Sequence, residues 1–118
     1  MSPVEARVFV AEDERYLRDY LIKKIEEAGH YVVATAATRQ EALATIPKFR
    51  ELGVQVASLD GNLGEFNMGA DGQAIQAAIR QQTPEVKTIG VSGVNFPNAD
   101  VDLGKGNISQ IGEVITRL

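Results

Sequence analysis

The chain reads as an α/β domain in which a parallel five-stranded sheet is covered by helices on both faces. Two observations predict it. Short β-branched apolar runs alternate with longer stretches whose apolar residues recur every three or four positions, the pattern of strand–helix–strand units with right-handed crossovers. In addition, 118 residues, 44% of them hydrophobic, suffice for one core and not for two of that kind, so residues 1–118 are expected to form one domain. No repeat, low-complexity segment or internal linker interrupts the chain.

Residues 7–11 (RVFVA) are the kind of run that is buried on both faces of a parallel sheet and give the first strand. From Glu14 the period changes: Leu17, Leu21, Ile25 and Ala28 line one face of an amphipathic helix, and Gly29 closes it. Residues 31–35 form the second strand. Thr38 and Glu41 have capping-box spacing and open a second helix, which Pro47 is expected to kink or shorten by removing a hydrogen bond. Residues 54–59 are the third strand, 70–82 a third helix started by Asp71, and 86–92 the fourth strand. A weak fifth strand spans 101–105, and Ile108, Ile111, Val114, Ile115 and Leu118 mark a last helix. Only 12 residues lie between Ser92 and Lys105, and they include Asn95-Phe96-Pro97-Asn98. That crossover is too short and too rich in breakers for a helix, so a loop or single turn is expected there.

Composition narrows the function classes. Twelve basic against 16 acidic side chains give a net charge of -4, the wrong sign for direct backbone-driven binding of nucleic acid. No apolar run reaches the roughly 18 residues of a membrane span, and MSPVEARVFV lacks the basic-then-apolar layout of a secretory leader. There are no cysteines for disulfides or soft-metal ligation. A cytoplasmic location and no membrane partner are therefore expected.

In an open parallel sheet the ligand site lies beyond the carboxyl ends of the strands. Here those ends are polar: Glu12-Asp13-Glu14 after the first strand, Asp60 after the third, Ser92 at the fourth and Lys105 at the fifth. Glu12, Asp13 and Asp60 bring three negative charges to that rim and Lys105 returns one. Two like charges about 4 Å apart repel by roughly 4 kcal/mol at an effective dielectric near 20, a large share of a total stability of about 5 to 15 kcal/mol. Either the carboxylates splay into water or a cation joins them. A divalent ion brings the sum of the four groups to zero, and all-oxygen ligation by carboxylates, a carbonyl and water suits Mg²⁺. Gly61 and Gly64 around Asn62 let the loop turn and present a main-chain oxygen.

AEDE at 11–14, LDGNL at 59–63, VSG at 91–93 and the lysine of VDLGKG together resemble the receiver domain of two-component response regulators, in order and spacing across nearly the whole chain. The resemblance implies a doubly wound, flavodoxin-like sheet in the order 2-1-3-4-5. It implies that Asp60 accepts a phosphoryl group from a sensor histidine kinase, a histidine phosphotransfer protein or a small donor. Asp13 would bind Mg²⁺ directly, Glu12 directly or through water, and Asn62 through its backbone carbonyl. Ser92 would hydrogen-bond a phosphoryl oxygen, with Gly93 leaving access, and Lys105 would pair with phosphoryl charge. The chain would then be a stand-alone phospho-accepting switch, not a classical enzyme, with no attached effector domain and an output protein that the sequence does not name.

Four positions depart from the family. Gly106 replaces the usual proline after the lysine, Asp102 stands where an aromatic switch residue is common, the fourth crossover is short, and GEFNMGA lengthens the loop after Asp60. The plainer roles are a dipole-favoured acidic helix start for residues 12–14, an Asx turn for Asp60, an ordinary Ser-Gly turn for Ser92 and a surface lysine for Lys105. His30, after Gly29, is expected to be a solvated loop residue, and Phe96 and Met68 to pack their own loops. A degenerate receiver-fold interaction module without phosphorylation and an aspartate-nucleophile phosphohydrolase remain as alternatives. A flavin site is disfavoured because the rim acids would repel its phosphate.

Overall fold

The structure, a computed structural model, describes residues 5–65 and 67–118. The leader reading of residues 1–4 and the Phe66 part of the lengthened loop lie outside them.

Five strands form one parallel sheet in the order β2-β1-β3-β4-β5: β1 Arg7–Ala11, β2 Tyr31–Ala36, β3 Val56–Leu59, β4 Lys87–Gly90 and β5 Val101–Asp102. All of β3 and all but the first residue of β1 are buried, as expected of central strands covered on both faces. Side-chain alternation divides the interior. Val8 and Val10 of β1 join Leu21 and Ile25 of α1 (Arg15–Glu27) and Ile111 and Ile115 of α5 (Ile111–Arg117) on one face. Phe9 and Leu59 pack on the other with Ile75 and Ile79 of α4 (Ala70–Gln82), beside Phe49, whose ring centroid is 5.0 Å from that of Phe9.

Thr38 caps α2 (Arg39–Thr45), its Oγ1 accepting from the Glu41 N–H at 3.0 Å. Pro47 ends the regular helix as expected: Ile46–Lys48 tighten into a 3₁₀ turn, and α3 (Phe49–Leu52) closes on Gly53.

Several expected boundaries shift. β3 and β4 are shorter than their apolar runs, and β5 has two residues because only Ile89 and Gly90 of β4 pair with it. Lys105 thus opens a 3₁₀ turn, Lys105–Gln110, that contains Ile108, and α5 begins at Ile111. By contrast α4 spans 70–82 as expected, with Asp71 in its first turn and Gly69 as N-cap. His30 is buried rather than solvated: the chain reversal into β2 turns its ring under α5. Its Nδ1 accepts from the Ala6 N–H at 3.0 Å, and its Nε2 lies 2.9 Å from Thr116 Oγ1. Those partners fix the neutral tautomer protonated at Nε2.

Among the described residues none between β4 and β5 is helical. The segment is a strap. Its Phe96 is buried in a slot between α4 and β4 that two glycines open: a Cβ on Gly72 or on Gly90 would come within 2.5 Å of Phe96 atoms. Asp102, at the end of β5, accepts from the Phe96 N–H at 3.0 Å, and Gln76 of α4 donates to the Pro97 carbonyl at 3.0 Å. Arg80 donates to the Asn98 carbonyl and pairs with Asp100, which accepts from the Thr88 N–H at 2.8 Å. Phe96 thus packs its own loop as expected, whereas Met68 is 83% exposed. No helix of the described residues is long and apolar enough to cross a membrane.

Candidate functional site

The sheet register sets Ala11 beside Leu59, so the next residues, Glu12 and Asp60, emerge together from the two central strands. Their backbones continue the ladder: the Glu12 N–H donates to the Ala36 carbonyl at 2.9 Å and the Asp60 N–H to the Ala11 carbonyl at 3.0 Å. Both carboxyls are buried, Glu12 at 0% exposure and Asp60 at 2%. Asp13 stands exposed beside them, and one oxygen from each of the three acids lies within 4.8 Å of the others.

Hydrogen bonding leaves this group incomplete. Glu12 Oε2 accepts from the Glu14 N–H at 3.1 Å, but Glu12 Oε1 has no donor among the described residues. Asp60 Oδ1 accepts a long 3.4 Å bond from the Asn62 N–H, and Asp60 Oδ2 has no hydrogen bond. Lys105 Nζ lies 3.6 Å from that Oδ2, within ion-pair range and too far for a hydrogen bond. The other buried orphan among the described residues is Ser58 Oγ, inside β3. Buried oxygens without donors are costly, and two of them lie together at this rim.

The electrostatics follow from the crowding. Burial, and then the negative charge of Asp60, push Glu12 up to about 8 from an ordinary 4.5, so the cation-free site holds a proton at neutral pH. Burial also raises Asp60, with the Lys105 ammonium pulling the other way. Asp13 is partly desolvated, yet hydrogen bonding with the Glu12 carboxyl and the Gly64 N–H holds it below the ordinary aspartate value. Its Oδ2 accepts from Gly64 at 3.0 Å.

The remaining expected residues surround this group. Ser92 is buried just beyond β4 and accepts from the Val94 N–H at 3.3 Å. It lies against the residue after Asp60: a Cβ on Gly61 would sit 2.7 Å from Ser92 Oγ, so a larger residue there would push the Ser92 hydroxyl aside. Asn62 turns its side chain into its own loop, Oδ1 accepting from the Asn67 and Gly69 N–H groups at 2.9 and 3.0 Å. Lys105 reaches Asp60 from the 3₁₀ turn instead of from a strand end.

Two contributors had no chemical signature in the sequence. Arg18, one turn into α1, donates to the Glu12 carbonyl at 2.9 Å and pins the acidic turn. Asp71, predicted only to start a helix, is buried and reaches back to the loop that follows Asp60. A separate cavity of about 360 Å³ lies at the opposite, amino-terminal ends of the strands, lined by Ala6, Val54, Val56, Lys87, Ile115 and Leu118. It collects no comparable group of acids.

The donor set fits a hard divalent cation. Every available ligand atom is an oxygen, two of those oxygens are buried without donors, and the net charge of the group is negative.

No protein-family model matches the chain, and no curated protein matches it. Solved structures do. The chain is similar to a CheY-like response regulator receiver domain protein of Methanospirillum hungatei JF-1, with 22% identity and a TM-score of 0.77 over 97% of this chain and 93% of that one. It is similar to the response regulator domain of Thermotoga maritima CheB at 23% identity and a TM-score of 0.62, over 92% of this chain and 73% of that one. The response regulator PhyR of Brucella abortus matches at 21% identity and a TM-score of 0.78, over 98% of this chain and 48% of PhyR. At these identities the likeness establishes the fold.

Proposed function

The fold is that of the CheY-like receiver domains, and from it we propose that the chain is a phospho-accepting signalling switch. The observation that carries this reading is the pair of donorless buried oxygens, Glu12 Oε1 and Asp60 Oδ2, beside the Lys105 ammonium. A fold-only module gains nothing from two such oxygens at its rim.

In this reading Glu12, Asp13, Asp60 and the Asn62 carbonyl hold Mg²⁺. The ion, when bound, neutralises the rim and shields the charge of an incoming phosphoryl group. Asp60 is the nucleophile. One of its carboxylate oxygens forms a bond to phosphorus while the P–N bond of a donor phosphohistidine breaks. The bonding electron pair returns to the imidazole, which takes up a proton from solvent. In this reading Lys105, whose Nζ lies 3.6 Å from Asp60 Oδ2, pairs with a phosphoryl oxygen, and Ser92, which lies against Gly61, donates its hydroxyl to another. Partners are a histidine kinase or phosphotransfer protein upstream and a protein that distinguishes the two states downstream. Because Ser92 leads directly into the strap, its movement toward phospho-Asp60 shifts residues 93–100. Unchanged amide NMR shifts in that segment on binding a phosphoryl analogue would refute this coupling.

The test of the reading is intact mass after incubation with acetyl phosphate and Mg²⁺. One phosphoryl adduct is expected, absent from Asp60→Ala and from a metal-free sample. No adduct in the native chain, with aspartyl-phosphate decay controlled for, would favour a fold-only interaction module.

A further inference from the structure

Three consecutive amides after Asp60 are each held by a different carboxylate. The Asn62 N–H donates to Asp60 Oδ1 at 3.4 Å, the Leu63 N–H to Asp71 Oδ2 at 2.8 Å and the Gly64 N–H to Asp13 Oδ2 at 3.0 Å. The outer two carboxylates belong to the acidic rim. The middle one belongs to the first turn of α4.

Asp71 makes the shortest of the three bonds and is itself fixed. It is buried, its Oδ2 also accepts from Asn67 Nδ2 at 2.7 Å, and its Oδ1 lies 3.6 Å from Arg39 Nη1. The flanking bonds have no such support: Asp13 is exposed, and the Asn62 bond is at the limit of hydrogen-bond length. Displacing Leu63 rotates the peptide units on either side. That would turn the Gly64 N–H from Asp13 and re-aim the Asn62 carbonyl.

Resting on the proposed Mg²⁺-dependent reading, we infer that Asp71 is the positioning residue of the site. It touches neither cation nor phosphoryl group, and it sets the Asn62–Gly64 backbone so that Asp13, Asp60 and the Asn62 carbonyl face one point. What it requires is an acceptor atom at the place of Oδ2. Asparagine can supply one through its own carbonyl oxygen, while alanine cannot.

Two measurements on the full chain test this: Mg²⁺ affinity by calorimetry and, without metal, the backbone amide shifts of Asn62 and Gly64. Asp71→Ala is expected to weaken Mg²⁺ about tenfold and to move both amides, whereas Asp71→Asn stays within about threefold of the native chain. Asp71→Leu, which keeps the branched four-atom shape of the side chain without an acceptor, gives the same answer should the alanine variant fail to fold. If Asp71→Ala loses stability while Mg²⁺ affinity stays within twofold and both amides keep their shifts, Asp71 is only a structural support of α4 and the inference is overturned. If the native chain binds no Mg²⁺, the receiver reading fails. The amide shifts then decide alone, their movement supporting the positioning role and their constancy overturning it.

Discussion

After β3, the chain turns through Gly61–Gly64 beside Glu12 and Asp60, whose buried oxygens lack donors. After β4, it runs through a strap in which, among the described residues, every buried side-chain polar atom has a partner and Phe96 fills the remaining space. Both segments leave neighbouring strands at the same edge of the sheet. One crowds three acids, one oxygen of each within 4.8 Å of the others, and the other is closed by packing. The difference is between a rim that leaves polar atoms unpartnered and a strap that leaves none among the described residues.

The largest expected effect breaks the closed side. Phe96→Ala empties the slot and should cost about 3–5 kcal/mol, read by urea unfolding, which would leave a domain of this size marginal. Gly90→Ala attacks the same slot from its floor, with a cost of about 1–3 kcal/mol from overpacking. Combined with Phe96→Ala it should cost less than the sum, because the new methyl enters the space the ring has left. Full additivity would show that Phe96 does not occupy the slot in solution.

A smaller effect sharpens the crowded side. The folded chain holds a proton on Glu12 up to about pH 8, whereas the unfolded chain releases it near 4.5. Between those values the native state binds the more protons, so metal-free stability should fall as pH rises through this window, with the whole penalty present above about pH 8 and none below 4.5. Glu12→Gln should flatten that slope and gain on the order of 2 kcal/mol at pH 8, measured by unfolding in the presence of a chelator. Mg²⁺ affinity of the native chain should rise over the same range, because ligation requires the carboxylate. If Glu12→Gln left the pH dependence unchanged, Glu12 would ionise in the folded chain as it does in the unfolded one.

The smallest effect tests how the strap is tied. Asp102→Ala removes the acceptor for the Phe96 N–H and should cost about 1 kcal/mol. Its more sensitive signature is faster amide exchange in residues 93–98, with the acidic loop unaffected.

The fold was legible because its signals are local. The apolar period marks β1, α1 and α4, and the Thr38–Glu41 capping spacing and Pro47 punctuate α2. The rim acids were legible because a carboxylate that follows a buried strand has few structural reasons to be there. Strand ends were not, since they depend on the neighbour: β5 stops where β4 stops pairing. Three roles depended on residues that only folding brings together. His30 meets Thr116 of α5, Asp71 reaches back to Leu63, and Phe96 needs Gly72 and Gly90 at once. Type and spacing identify none of these partners, because each contact joins residues with no periodic relation in the chain.

Asp71 and Gly72 are adjacent, and the Gly72 N–H donates to the Gly61 carbonyl at 2.9 Å. The first turn of α4 therefore serves as a common bearing for both segments, one residue gripping the acidic loop and the next seating the strap. Effects transmitted through such a bearing are reciprocal in equilibrium terms. A downstream protein that draws Phe96 from its slot would change cation affinity by the same factor by which the cation changes that protein's binding. In the proposed reading, a protein that senses the strap would thereby tune the cation site as well as respond to it.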